Sequence, residues 1–171
     1  MIGQKIDRMP KTGTLGKGFS CFTGSMLLSF CAIESFSASV AFTMPYEDRF
    51  KDFDFERYKR ASRFWDKIEM LCGAIQLEID KSQGLFQNIG EMQRWRNLVT
   101  HASPYEIRTT SIENTVDAPR KLHAPFRNKE YTRMTDVENA KTFYSTAFEY
   151  IDVIKARSGI DPRASASYKI G

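Results

Sequence analysis

Histidine and cysteine are scarce in this chain, and both scarcities narrow what it can be. Only His101 and His123, and Cys21, Cys31 and Cys72, occur among 171 residues. An odd number of cysteines without metal-like spacing argues against a disulfide framework and a thiolate metal site. They read as reduced, mostly buried thiols of a cytoplasmic protein. Neither a metal nor a cofactor is expected. No internal repeat is visible, and no phosphate loop: Gly13, Gly16, Lys17 and Gly18 miss the G-x-x-x-x-G-K-[ST] spacing, with no strand before them. Charge of one sign is in short supply too. A net charge of +4 permits a polyanionic partner without requiring one. What remains, 42% hydrophobic and 27% charged residues, is ordinary for a single globular domain with a sizeable core.

The long hydrophobic run at 22–44, "FTGSMLLSFCAIESFSASVAFTM", has the length of a membrane span. Glu34 lies near its middle, where a carboxylate would cost about 3 kcal/mol in a bilayer. Seven Ser and Thr hydroxyls dilute the run. A signal peptide would begin its apolar region earlier and end on small residues. The expectation is therefore a buried helix and no membrane partner.

Residues 1–20 are glycine-rich and basic, which predicts a flexible arm. Pro45 closes the first helix. A second helix is expected from about Glu56 to Asp80, because Phe64, Trp65, Ile68, Leu71, Cys72, Ile75 and Ile79 recur at threes and fours. A third is expected from Leu85 to Ala102, on Ile89, Met92, Trp95, Leu98 and Val99, and Pro104 ends it sharply. Residues 103–134 lack helical periodicity, and "YEIRTTSIENTV" could form a short hairpin. The fourth helix starts at Thr135-Asp136-Val137-Glu138, which fits a capping box. It places Ala140, Phe143, Tyr144, Ala147, Phe148, Ile151 and Ile154 on one face, before Gly159 and Pro162 stop it. The domain plan is thus an arm at 1–20, a single helical domain at 21–158 and a flexible tail at 159–171. Short links between amphipathic helices give an all-α bundle.

The chemistry concentrates in residues 94–104, "RWRNLVTHASP". With Trp95 at the centre of the buried stripe and about 100° per residue, Met92, Leu98, Val99 and Ala102 share the core face. Arg94 and Arg96 flank it on opposite sides. Asn97 and His101 lie on the far side as an i, i+4 pair. An imidazole can take a proton from a ribose 2′-hydroxyl or give one to a leaving 5′-oxygen. A guanidinium presents paired donors to phosphate oxygens and stabilises the charge of the transition state. The set suits phosphodiester cleavage without a metal.

"RNLVTH" (96–101) resembles the R-x4–6-H motif of HEPN domains, where Asn often follows the arginine. The resemblance spans roughly residues 22–157. It implies an antiparallel four-helix bundle with a loop or short hairpin between the third and fourth helices. It further implies a homodimer whose motifs face each other across the interface to form one ribonuclease site. Arg96 would bind the scissile phosphate, Asn97 would support it and His101 would be the acid–base group. Arg94 also fits the spacing, with six intervening residues; the Arg-Asn start selects Arg96. Family members include toxins with antitoxin partners, phage-defence nucleases and RNA-processing enzymes, and others that only bind.

Around the motif, Glu34 in its mostly apolar helix must find a partner or become protonated. Arg96 or His101 would make it an orienting group; a pairing elsewhere in the bundle is the alternative. Arg120, Lys121, Arg127, Lys129 and Arg133 form either a solvated loop or a row of RNA backbone contacts. Two functions follow: a metal-independent endoribonuclease, or a non-catalytic bundle that binds RNA, nucleotide or a protein partner.

Overall fold

The computed structural model describes residues 17–100 and 130–162, and within them every regular element is helical. Helix α1 spans Lys17–Thr43. Two 3-10 turns, Met44–Tyr46 and Asp48–Phe50, lead to α2, Phe55–Arg60. Helix α3 is Phe64–Ala74, α4 is Gly84–Thr100, α5 is Glu130–Met134 and α6 is Val137–Ser158.

The centre of the fold is α1, which packs chiefly against α6 and then against α4 and α3. Its buried positions Met26, Phe30, Ile33, Ser37, Val40 and Ala41 follow the threes and fours of one helical stripe, which Met44 of the next turn continues. The hydroxyls on α1 are absorbed locally: Ser29, Ser37, Ser39 and Thr43 each donate to the carbonyl four residues back, at 2.7–3.0 Å. By length and composition alone, Gly18–Tyr46 could cross a membrane. In the fold, its apolar stripe is covered by the neighbouring helices.

Ser37 does more than satisfy itself. Its hydroxyl hydrogen goes to the Ile33 carbonyl at 2.7 Å, so its oxygen accepts from the Tyr150 hydroxyl, also at 2.7 Å. This buried bond joins α1 to α6. It explains a departure from the expected face of the fourth helix. The buried row is Ala140, Phe143, Ala147, Tyr150 and Ile154, while Tyr144 and Phe148 stand 57% and 52% exposed. Tyr150 can occupy the core because its polar tip has a partner there.

The helix expected at 56–80 is two helices and a turn. Ala61 and Arg63 adopt extended backbone, which separates α2 from α3. Helix α3 stops at Ala74 because the chain enters a Schellman closure: the Leu77 amide donates to the Cys72 carbonyl at 2.9 Å and the Gln76 amide to Gly73 at 3.2 Å. Gln76 holds the left-handed position of that closure, at φ 54°. Asp80 then accepts from the Ser82 amide and hydroxyl and from Gln83, which shapes the entry to α4.

Helix α6 starts one residue later than the capping box implied. Asp136 is its N-cap, accepting from the Asn139 amide at 2.8 Å. Thr135 is occupied elsewhere: its hydroxyl takes the Trp95 indole N–H at 3.1 Å inside the core. Helix α5 lies where no helical period was expected. The far end matches expectation, with Gly159 as a left-handed C-cap at φ 72°.

The thiols also depart from expectation. Cys72 is buried, but Cys21 and Cys31 are exposed on α1. They fall on its solvent side, five and one residues from the buried Met26 and Phe30.

Candidate functional site

The last turns of α4 carry the motif, and Trp95 anchors them. Its indole is fully buried, edge-on to Phe143 at 5.6 Å and hydrogen-bonded to Thr135. Fixing Trp95 fixes the directions of its neighbours. Arg94 is exposed and Arg96 half-buried, on opposite flanks as helical register requires.

Arg96 lies across Phe30 of α1, its guanidinium carbon 5.8 Å from the ring centroid. Its Nη1 donates to Asn97 Oδ1 at 3.1 Å. One ring and one amide therefore orient the cation, and among the described residues its other N–H groups remain available for the oxygens of an oxyanion. Asn97 is exposed beside it. Thr100 donates to the Arg96 carbonyl at 2.9 Å, closing the final turn of α4.

Glu34 sits one helical turn beyond Phe30 and is half-buried. Its charge bears on Tyr58, whose phenol is pushed up to about 12, by burial first and by Glu34 second. Among the described residues Glu34 makes no ion pair, with Arg96 or with any other cation. It shares the α1 face that Arg96 covers, without touching it as a salt bridge.

His101, Arg120, Lys121, Arg127 and Lys129 lie outside the described residues, as do His123 and the expected hairpin. Arg133 is exposed in the last turn of α5. Among the described residues, no three His, Cys, Asp or Glu side chains gather as metal ligands.

A groove unanticipated from the sequence lies between α1 and α6. Leu28, Phe36, Tyr144, Phe148 and Ile151 line about 510 Å³, and the Lys155–Asp161 ion pair, 2.8 Å long, stands at its border. By helical register it opens on the side of α1 opposite Phe30 and Glu34. Its sequence signal was present but ambiguous. Tyr144 and Phe148 follow Phe143 and Ala147 by one residue each, so periodicity alone assigned them to the core.

No protein-family model, curated protein or solved structure matches this chain.

Proposed function

We propose that this protein is a metal-independent endoribonuclease of HEPN type, built as an antiparallel four-helix bundle and acting as a homodimer in the cytoplasm. The observation that carries the reading is the Arg96–Asn97 pair at the end of α4. A guanidinium held by Phe30 and by its neighbouring amide stands five residues before His101 in the sequence.

In this mechanism Arg96 binds the non-bridging oxygens of an RNA phosphate, with Asn97 supporting the geometry. The imidazole of His101 removes the proton from the adjacent ribose 2′-hydroxyl. The 2′-oxygen attacks phosphorus, the bond to the 5′-oxygen breaks, and the leaving oxygen takes a proton from an imidazolium. The products are a 2′,3′-cyclic phosphate and a 5′-hydroxyl. Two motifs facing each other across a dimer would supply a base and an acid together. Glu34, behind the Arg96–Phe30 contact, would bias the orientation of the cationic groups. The basic residues at 120–133 would hold the RNA backbone.

The test is incubation of purified protein with structured and single-stranded RNA in EDTA. Cleavage is expected from the wild type and from a surface control such as Lys141→Ala. It should be lost in Arg96→Ala and His101→Ala, and Arg94→Ala should retain most of it. Intact RNA at high protein concentration would instead assign the chain to the non-catalytic class. A strict monomer in sedimentation at micromolar concentration would remove the composite site.

A further inference from the structure

Helix α1 carries a second stripe, on the side that its neighbouring helices leave open. Positions 21, 24, 28, 31, 35, 38 and 42 recur at alternating threes and fours, the period of a helix–helix seam. All are exposed except Gly24, which is half-buried. At about 100° per residue the stripe lies opposite the buried row of Phe30 and Ile33. None of its residues is charged. Glu34, the one charge between Lys17 and Glu47, lies about 90° round from it. A helix face that meets only water ordinarily carries charged side chains, and this one carries none.

Gly24 is an independent sign of what covers this face. Glycine inside a helix is unfavourable relative to alanine. Among the described residues nothing requires it, since a Cβ at Gly24 would meet no atom within 4 Å. A second backbone approaching closely does require it. The sizes along the stripe also match in reverse order about Cys31. Turned end for end, Leu28 meets the partner's Ser35 and Phe42 meets the partner's Cys21, large against small. Gly24 then meets the partner's Ala38, where the backbones come closest, and Cys31 meets its own counterpart. A face that complements itself in this way fits a second copy of the chain. The stripe is about 32 Å long and, at helix width, supplies roughly 350 Å². Leu28 also lines the groove between α1 and α6, where Tyr144 and Phe148 add two half-exposed rings. Two copies would bury on the order of 1,000 Å² in total, the lower end for a specific interface, so the dimer is reversible.

We infer that α1 pairs antiparallel with α1 of a second copy across this stripe, with the twofold axis at Cys31. Such an axis lies in the interface and crosses α1 at right angles, so each flank of the helix keeps its own side of the dimer. Phe30, the ring that carries Arg96, is one residue from the axis. Both Arg96 guanidiniums therefore lie near the level of the axis and on one face of the dimer. The interface stands on α1 alone; its bearing on cleavage rests on the ribonuclease reading of Arg96 and His101.

The experiment is sedimentation equilibrium of the full chain under reducing conditions and without detergent. The wild type should show a reversible monomer–dimer equilibrium in the micromolar range. Ala38→Glu and Gly24→Leu should each weaken dimerisation roughly tenfold or more, with helical circular dichroism unchanged. Leucine is the better helix former, so Gly24→Leu should not lower the melting temperature of the dilute monomer. Oxidation with diamide then reads the register. Cys21→Ser should form a covalent dimer through Cys31 roughly tenfold faster than Cys31→Ser does through Cys21, because the two Cys21 residues stand about 30 Å apart in this pairing. At dilutions that leave monomer both thiols should label in the folded protein, and Cys31 should slow as the dimer forms. A monomer at every concentration, a dimer that both substitutions leave within about twofold, faster linkage through Cys21, or association only with added phospholipid vesicles would each overturn this interface. Failure of the enzyme reading looks different: RNA stays whole while the dimer linked through Cys31 still forms.

Discussion

The indole N–H of Trp95 donates to the Thr135 hydroxyl at 3.1 Å, across forty residues of sequence. This bond ties the motif helix α4 to the entrance of α6, on either side of the interval that contains His101. Both groups are buried, so neither has water as an alternative partner.

Thr135→Val keeps the shape of that side chain and removes its oxygen. The Trp95 N–H then loses this acceptor inside the core, at a cost of about 1–3 kcal/mol. Urea denaturation should show the loss as a lower midpoint with an unchanged slope. A midpoint equal to that of the wild type would mean that the indole finds another acceptor.

The Ser37–Tyr150 bond gives an asymmetric expectation. Tyr150→Phe removes one hydroxyl and leaves Ser37 still donating to Ile33, so about 1 kcal/mol should be lost. Ser37→Ala leaves the buried Tyr150 hydroxyl without its acceptor, and should cost more, toward 2–3 kcal/mol. The two single variants measured by denaturation in the same buffer check the order. The reverse order would show that Tyr150 relaxes to another partner.

Gln76 offers a gain in place of a loss. It occupies the left-handed position of the α3 closure, where a Cβ is disfavoured. Gln76→Gly should raise stability by about 0.5–1 kcal/mol. A fall in the melting temperature would show that the Gln side chain contributes something its backbone position does not reveal.

These cases also show which parts of the fold were readable from sequence. The helical class, the core run of α1, the Trp95 stripe and the Gly159 stop all follow from local rules of period and capping. The break between α2 and α3 does not, because Ala61 and Arg63 carry no breaker signal. Nor does the end of α3 at Ala74, since glutamine is an uncommon residue in a left-handed cap. Tyr150 was invisible as a core residue because its burial depends on Ser37, 113 positions away. At the site, periodicity correctly separated Arg94 from Arg96 by flank. The contact of Arg96 with Phe30 is tertiary and needed the structure.

Stability should fall in alkaline solution. Burial pushes the Cys72 thiol up to about 12, and burial with the charge of Glu34 pushes Tyr58 up to about 12; burial also raises Tyr150. The ordinary values are 9.0 for cysteine and 10.0 for tyrosine. The unfolded chain therefore releases these protons at lower pH than the folded one. The stabilisation is fully present below pH 9 and is lost progressively as pH rises toward 12. Urea midpoints should be level between pH 7 and about 9 and decline above it. Thiol labelling at neutral pH gives a companion readout, with Cys21 and Cys31 modified in the folded protein and Cys72 only after unfolding. A stable midpoint through pH 11 or prompt labelling of Cys72 would contradict the burial that both expectations share.

The most direct measurement for the proposed function is the chemistry of the cut ends. A short RNA and the same strand with a single 2′-deoxy substitution at its cleavage position are incubated with wild-type protein in EDTA, and the fragments are weighed by mass spectrometry. The account predicts a 2′,3′-cyclic phosphate on one fragment, a 5′-hydroxyl on the other, and no cut at the deoxy linkage. Fragments bearing 5′-phosphates, cleavage at the deoxy position, or RNA left whole would contradict it.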